Sequence, residues 1–228
     1  MSLASFAAFL KSLKAHPLIH PSILKEDYLA LDLSLHNSEL EKVNVSSSHD
    51  LERFIFTYLK TRNAKVAYGG YLEPRGIYRR STHFNEQNPE TERNIHLGMD
   101  LWIEADTAIF APLDGTIHSF RNNTNYGDYG PTIILKHNID NLEFYTLYGH
   151  LSLDAIKNLK VGVAVTQGTQ MATLGTAEVN GDYPPHLHFQ IIKDIQNYKG
   201  DYPGVCNRLD LEFYKTNCPD PNLLLHLK

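Results

Sequence analysis

His186 and His188 stand one residue apart in Pro184-Pro185-His186-Leu187-His188-Phe189-Gln190-Ile191-Ile192, two imidazoles leading into an apolar run. Successive strand side chains point to opposite faces, so an extended chain here puts both rings on one face and Leu187 and Phe189 on the other. Such a pair either serves one metal ion together or divides the work, one ring binding while its neighbour handles protons. A second stretch, Ile95-His96-Leu97-Gly98-Met99-Asp100-Leu101-Trp102, if extended, sends His96, Gly98 and Asp100 the same way, with only a hydrogen between the two donors. Two imidazoles and a carboxylate are a ligand set that a catalytic zinc uses while keeping a fourth position for water. His150, in Leu147-Tyr148-Gly149-His150-Leu151-Ser152, completes the group. Taken singly, a histidine on a strand is a core or edge residue and Asp100 a turn cap; only the combination points to a site.

The elements that must carry these residues form a β-rich core. Short strands are expected at 107–112, 115–121, 132–137, 142–147, 163–165, 170–174 and 188–192, separated by glycine and aspartate turns. Before them, Leu3, Phe6, Leu10 and Leu13 mark a helix ending before His16-Pro17. Leu29, Leu31, Leu33 and Leu35 alternate as a half-buried strand, and Leu51, Phe54, Ile55, Tyr58 and Leu59 mark a second helix. The fold class is therefore mainly β, with a small α/β N-terminal lobe (1–64), a core with its lead-in segment (65–192) and a C-terminal extension (193–228). In the lead-in, Tyr71, Arg75 and Tyr78 are candidates for the wall of a cleft, because arginine grips carboxylates bidentately and tyrosine adds area and a donor. The competing reading is a turn whose arginines are solvated or pair with Glu73. Asn125 to Gly130 reads as a cleft-lining loop, His83 as loop rather than ligand, and His118 and His137 as packing or edge residues.

The order His-x-x-x-Asp, then Tyr-x-x-Tyr-Gly-His-Leu, then His-x-His-Phe-Gln resembles the M23 (LytM/lysostaphin-type) zinc endopeptidases. The resemblance runs from about Ile95 to Ile192 and includes turns such as Ala111-Pro112-Leu113-Asp114-Gly115. It implies an antiparallel β core with one zinc ion held by His96, Asp100 and His188. It makes His150 and His186 the unligated catalytic histidines, and it suggests a peptide substrate from bacterial peptidoglycan. A binding-only regulator of peptidoglycan or of a protein partner is the second reading, and occlusion of the cleft by the N-terminal lobe or tail a third. The Glu base of His-Glu-x-x-His peptidases is absent.

Composition removes other classes. With 228 residues, 42% hydrophobic and a formal charge of -5, the chain buries a sizeable core and offers no basic surface for nucleic acid. No stretch approaches the roughly 20 apolar residues of a membrane span. The N-terminal apolar run lacks a preceding basic region and is broken by Lys11 and Lys14, so it reads as an amphipathic helix rather than an export signal. As written the chain reads as cytoplasmic, whereas the family resemblance suggests the cell envelope. Cys206 and Cys218 are expected as reduced thiols without a catalytic role.

Overall fold

The computed structural model describes every residue except 1–2, 83, 85–87, 89 and 228, so His83 lies outside the described residues. The strands are β1 (Tyr28–Ala30), β2 (Val66–Gly69), β3 (Ile95–His96), β4 (Met99–Trp102), β5 (Ala108–Phe110) and β6 (Gly115–Asn123). They continue with β7 (Gly130–Ile139), β8 (Leu142–Gly149), β9 (Ala164–Val165), β10 (Gln170–Thr173), β11 (His186–Ile192) and β12 (Val205–Cys206). The α-helices are α1 (Leu3–Ser12), α2 (Ser48–Thr61), α3 (Leu211–Asn217) and α4 (Asn222–Leu225).

An eight-stranded sheet in the order β1-β2-β4-β11-β8-β7-β6-β9 carries the molecule. Every pairing in it is antiparallel except β1 with β2. Alternation sets its two faces: Leu187, Phe189 and Ile191 of β11 and Met99 and Leu101 of β4 enter the main apolar core, while His186, His188 and Gln190 point the other way. The same core takes Phe6 and Leu10 of α1, and the Phe6 ring meets Phe144 edge-on at 5.8 Å. On the opposite side of β4, Trp102 packs in a second cluster with Leu51, Ile55 and Leu59 of α2. Ser47 caps α2 by accepting from Asp50 N–H.

Two expectations about local structure need correction. The leucine alternation from Leu29 to Leu35 yields a strand only over Tyr28–Ala30, although Leu31 and Leu33 are buried as the pattern requires. Asp32 accepts from Ser34 N–H and turns the chain away from the sheet. The stretch Ile95 to Trp102 is not one strand: β3 pairs with β12 in a separate two-stranded sheet, and β4 joins the large one. The break falls at Leu97-Gly98, where the missing Cβ lets the backbone pass against the His188 ring.

Candidate active site

The site is assembled by strand register. In β11 and β4, His188 lies opposite Asp100 and His186 opposite Trp102; on the other flank His188 lies opposite Gly149 of β8. Directly opposed residues on one face sit side by side, so Asp100 and His188 meet without any loop having to place them. His150 follows Gly149 with a left-handed φ of 64°, which turns the chain out of β8 and directs its ring toward His186, at a centroid separation of 4.2 Å. His96 arrives from β3.

Three donor atoms converge. His96 Nε2 is 2.9 Å from His188 Nδ1 and 3.2 Å from Asp100 Oδ1, and His188 Nδ1 is 3.2 Å from the same oxygen. Each imidazole is held by its other nitrogen. His96 Nδ1 is 2.9 Å from the Gly70 carbonyl, which only accepts, so the hydrogen sits on Nδ1 and Nε2 presents a bare lone pair. Gln190 Nε2 donates to Pro203 O and to Cys218 Sγ, which turns Gln190 Oε1 toward His188 Nε2 at 2.9 Å. That oxygen takes the Nε2 hydrogen and leaves Nδ1 bare. Two lone pairs and a carboxylate oxygen thus face one another with no hydrogen between them, on residues only 1–2% exposed. Such a triangle is repulsive unless a cation fills it. Tetrahedral zinc with bonds of about 2.0–2.1 Å spaces its ligands by roughly 3.3 Å, so the donors fit one divalent ion.

Electrostatics agree. Burial, joined by the nearby Arg75 charge, pushes His96 down to about 4, so it is a neutral donor at physiological pH. Burial acts to raise Asp100, but His96 and the Arg75 guanidinium outweigh it and hold the carboxyl well below its usual range. His150 and His186 are also pushed down by burial, His150 further by its histidine neighbours. Their Nδ1 hydrogens go to Asn180 O at 2.8 Å and Pro184 O at 2.7 Å, so both keep a basic Nε2. These groups line a cavity of about 370 Å³.

Residues 94–200 match the model of peptidase family M23. This segment is similar to the M23 peptidases. An uncharacterized metalloprotease of Haemophilus influenzae is 31% identical over 107 residues, covering 46% of this chain; the chain spans only 20% of that relative. The catalytic domain of lysostaphin, an antimicrobial peptidase from Staphylococcus simulans, is 26% identical, with a TM-score of 0.42 over 68% of this chain and 94% of that one. A zinc containing peptidase from Vibrio cholerae is 25% identical, with a TM-score of 0.36 over 54% of this chain and 36% of that one.

The segment matched by that family brings His96, Asp100, His150, His186 and His188 into one cavity, and Arg75 and Tyr78 line it as well. Arg75 is not aimed outward at ligand, however: it is 4% exposed and ion-paired to both Glu73 and Asp100. Tyr71 is not in the cavity lining; its hydroxyl donates to Cys218 O. Gly127, Asp128 and Tyr129 of the Asn125–Gly130 turn do line it, and so do Leu33 and Leu51, which precede β2, and Tyr202 to Cys206, which follow β11. Sequence reasoning offered the tail only as an occlusion of the cleft and placed none of these residues in its lining, because their contacts span long separations and carry no local pattern. It likewise missed the roles of Gln190, Asn180 and Pro184, of which Gln190 and Pro184 lay inside a quoted stretch. His137, assigned to packing, is buried between Asp114 O and Thr146 Oγ1. Both cysteines are free and buried, with thiols pushed up to about 12 by burial.

Proposed function

We propose that the chain is a zinc-dependent endopeptidase that hydrolyses peptide bonds in peptidoglycan stem or cross-bridge peptides or related muropeptides. The observation that carries this reading is the triangle of two bare imidazole nitrogens and a carboxylate oxygen, beside two further histidines. His96, Asp100 and His188 would hold the metal, which supplies Lewis acidity toward a water and the scissile carbonyl. His150 and His186 share the proton handling. Each is locked in one tautomer by a backbone carbonyl, so its Nε2 is ready to accept a proton from the attacking water and return one to the leaving amine. Protonated in turn, either ring donates to the carbonyl oxygen as it gains negative charge. Burial keeps both rings neutral before the reaction, the form a base requires.

A regulator that only binds would need neither the tautomer locks nor the paired Nε2 atoms. The test is mass spectrometry of muropeptides and cross-bridge peptides incubated with the zinc-loaded chain. Wild-type protein should release new amine ends, His150→Ala and His186→Ala should retain zinc and lose cleavage, and His188→Ala should lose both. Cleavage by His188→Ala at the wild-type rate overturns the mechanism, and intact muropeptides alongside cleavage of unrelated peptides overturn the substrate assignment.

A further inference from the structure

Arg75 lies outside residues 94–200, in the lead-in loop, yet it is built into the metal-donor cluster. Its Nη1 donates to Asp100 Oδ2 at 2.5 Å and its Nε to Glu73 Oε2 at 2.5 Å, and Glu73 Oε1 in turn accepts from Leu33 N–H at 3.0 Å. The planar guanidinium lies 5.4 Å from the Trp102 ring centroid. Its Nη2 is buried with no hydrogen-bond partner among the described residues, packed where a Cβ on Gly70 would overlap it. Gly70, with φ of 102°, is also the residue whose carbonyl fixes His96. One short loop thus orients two of the three donors.

Resting on the zinc reading above, we propose that Arg75 is a positioning residue that makes Asp100 a one-oxygen metal ligand, with Glu73 as its counter-charge. Asp100 has two oxygens, and a carboxylate free on both sides can chelate a cation through the pair. With Oδ2 occupied by Arg75, only Oδ1 faces His96 Nε2 and His188 Nδ1. That keeps the site at three protein donors and leaves a position for water, the arrangement of catalytic rather than closed zinc sites. Glu73 is needed because an unbalanced guanidinium hydrogen-bonded to a ligand opposes a divalent ion. Asp100, Arg75 and Glu73 together carry one net negative charge; without Glu73 they carry none.

The test uses the full chain with Arg75→Met, Arg75→Lys and Glu73→Gln, reading zinc affinity by chelator competition and coordination by the visible d–d bands of the Co2+-substituted protein. Loss of an outer partner of a ligand weakens metal binding by about 10–100-fold. Arg75→Met should show that loss together with a fall in band intensity, as a two-oxygen Asp100 raises the coordination number. Arg75→Lys, a point charge without a fork, should not restore the wild-type spectrum. Glu73→Gln should weaken zinc with the spectrum unchanged, which keeps the proposal testable if Arg75→Met does not fold. Wild-type affinity and spectrum in these variants overturn the proposal. His188→Ala, run in parallel, separates the two readings: if it too keeps zinc, the ligand set is wrong; if it alone loses zinc, only the role of Arg75 is.

Discussion

Gly98→Ala tests the geometry with a single methyl group. A Cβ at Gly98 would stand 2.6 Å from both Cε1 and Nε2 of His188 and 2.8 Å from Phe189 O. Carbon atoms rest at about 3.5–4.0 Å, so the ring must retreat by about 0.9 Å or the β3–β4 connection must move by as much. The backbone offers no relief on the far side, because Phe189 is fixed opposite Met99 in the sheet. Metal sites need their ligands within roughly 0.5 Å of the productive position, so a shift of this size separates His188 Nδ1 from the other two donors. The expected cost is about 1–3 kcal/mol of stability from overpacking and at least about a tenfold loss of zinc affinity. Chelator competition and thermal unfolding of the metal-free protein read the two quantities. Unchanged zinc affinity with a normal melting curve would refute the idea that the missing Cβ is what lets His188 reach the cluster.

Gln190→Leu removes the acceptor of the His188 Nε2 hydrogen and strands Pro203 O; it should weaken zinc about 10–100-fold and destabilise the fold by about 1–3 kcal/mol, measured by the same assays, and a neutral result in both would count against the tautomer lock. Acid should destabilise the metal-free protein: burial pushes both His96 and His137 down to about 4, so each takes up a proton on unfolding once the pH falls below about 6.5. The stability they contribute is complete above that value and is lost as the pH falls toward 4, so the urea midpoint should drop between pH 7 and pH 5, and drop less in His137→Gln. A midpoint that holds steady or rises on acidification contradicts this.

The sequence made the donor set legible because strand alternation is strict: His186 and His188 had to share a face, and β11 keeps them there. Gly98 was readable for the same reason, as a gap between two donors, although the chain achieves it by breaking a strand rather than extending one. What alternation cannot show is which distant carbonyl holds a ring. Gly70, Asn180 and Pro184 act through backbone oxygens, to which residue type gives no clue. Arg75 was singled out by type, and the competing reading supplied its Glu73 partner but not its contact with Asp100. An arginine among tyrosines reads as a ligand grip until the register of β2 and β4 sets Gly69 opposite Asp100 and turns the following loop back over the carboxylate.

The most direct measurement is an anomalous difference map from crystals grown with zinc, collected on both sides of its absorption edge. The account predicts a single strong peak bonded to His96 through Nε2, to Asp100 through one oxygen and to His188 through Nδ1, with His150 and His186 unbonded beside it. A peak elsewhere, or those three side chains turned apart in zinc-soaked crystals, would contradict it.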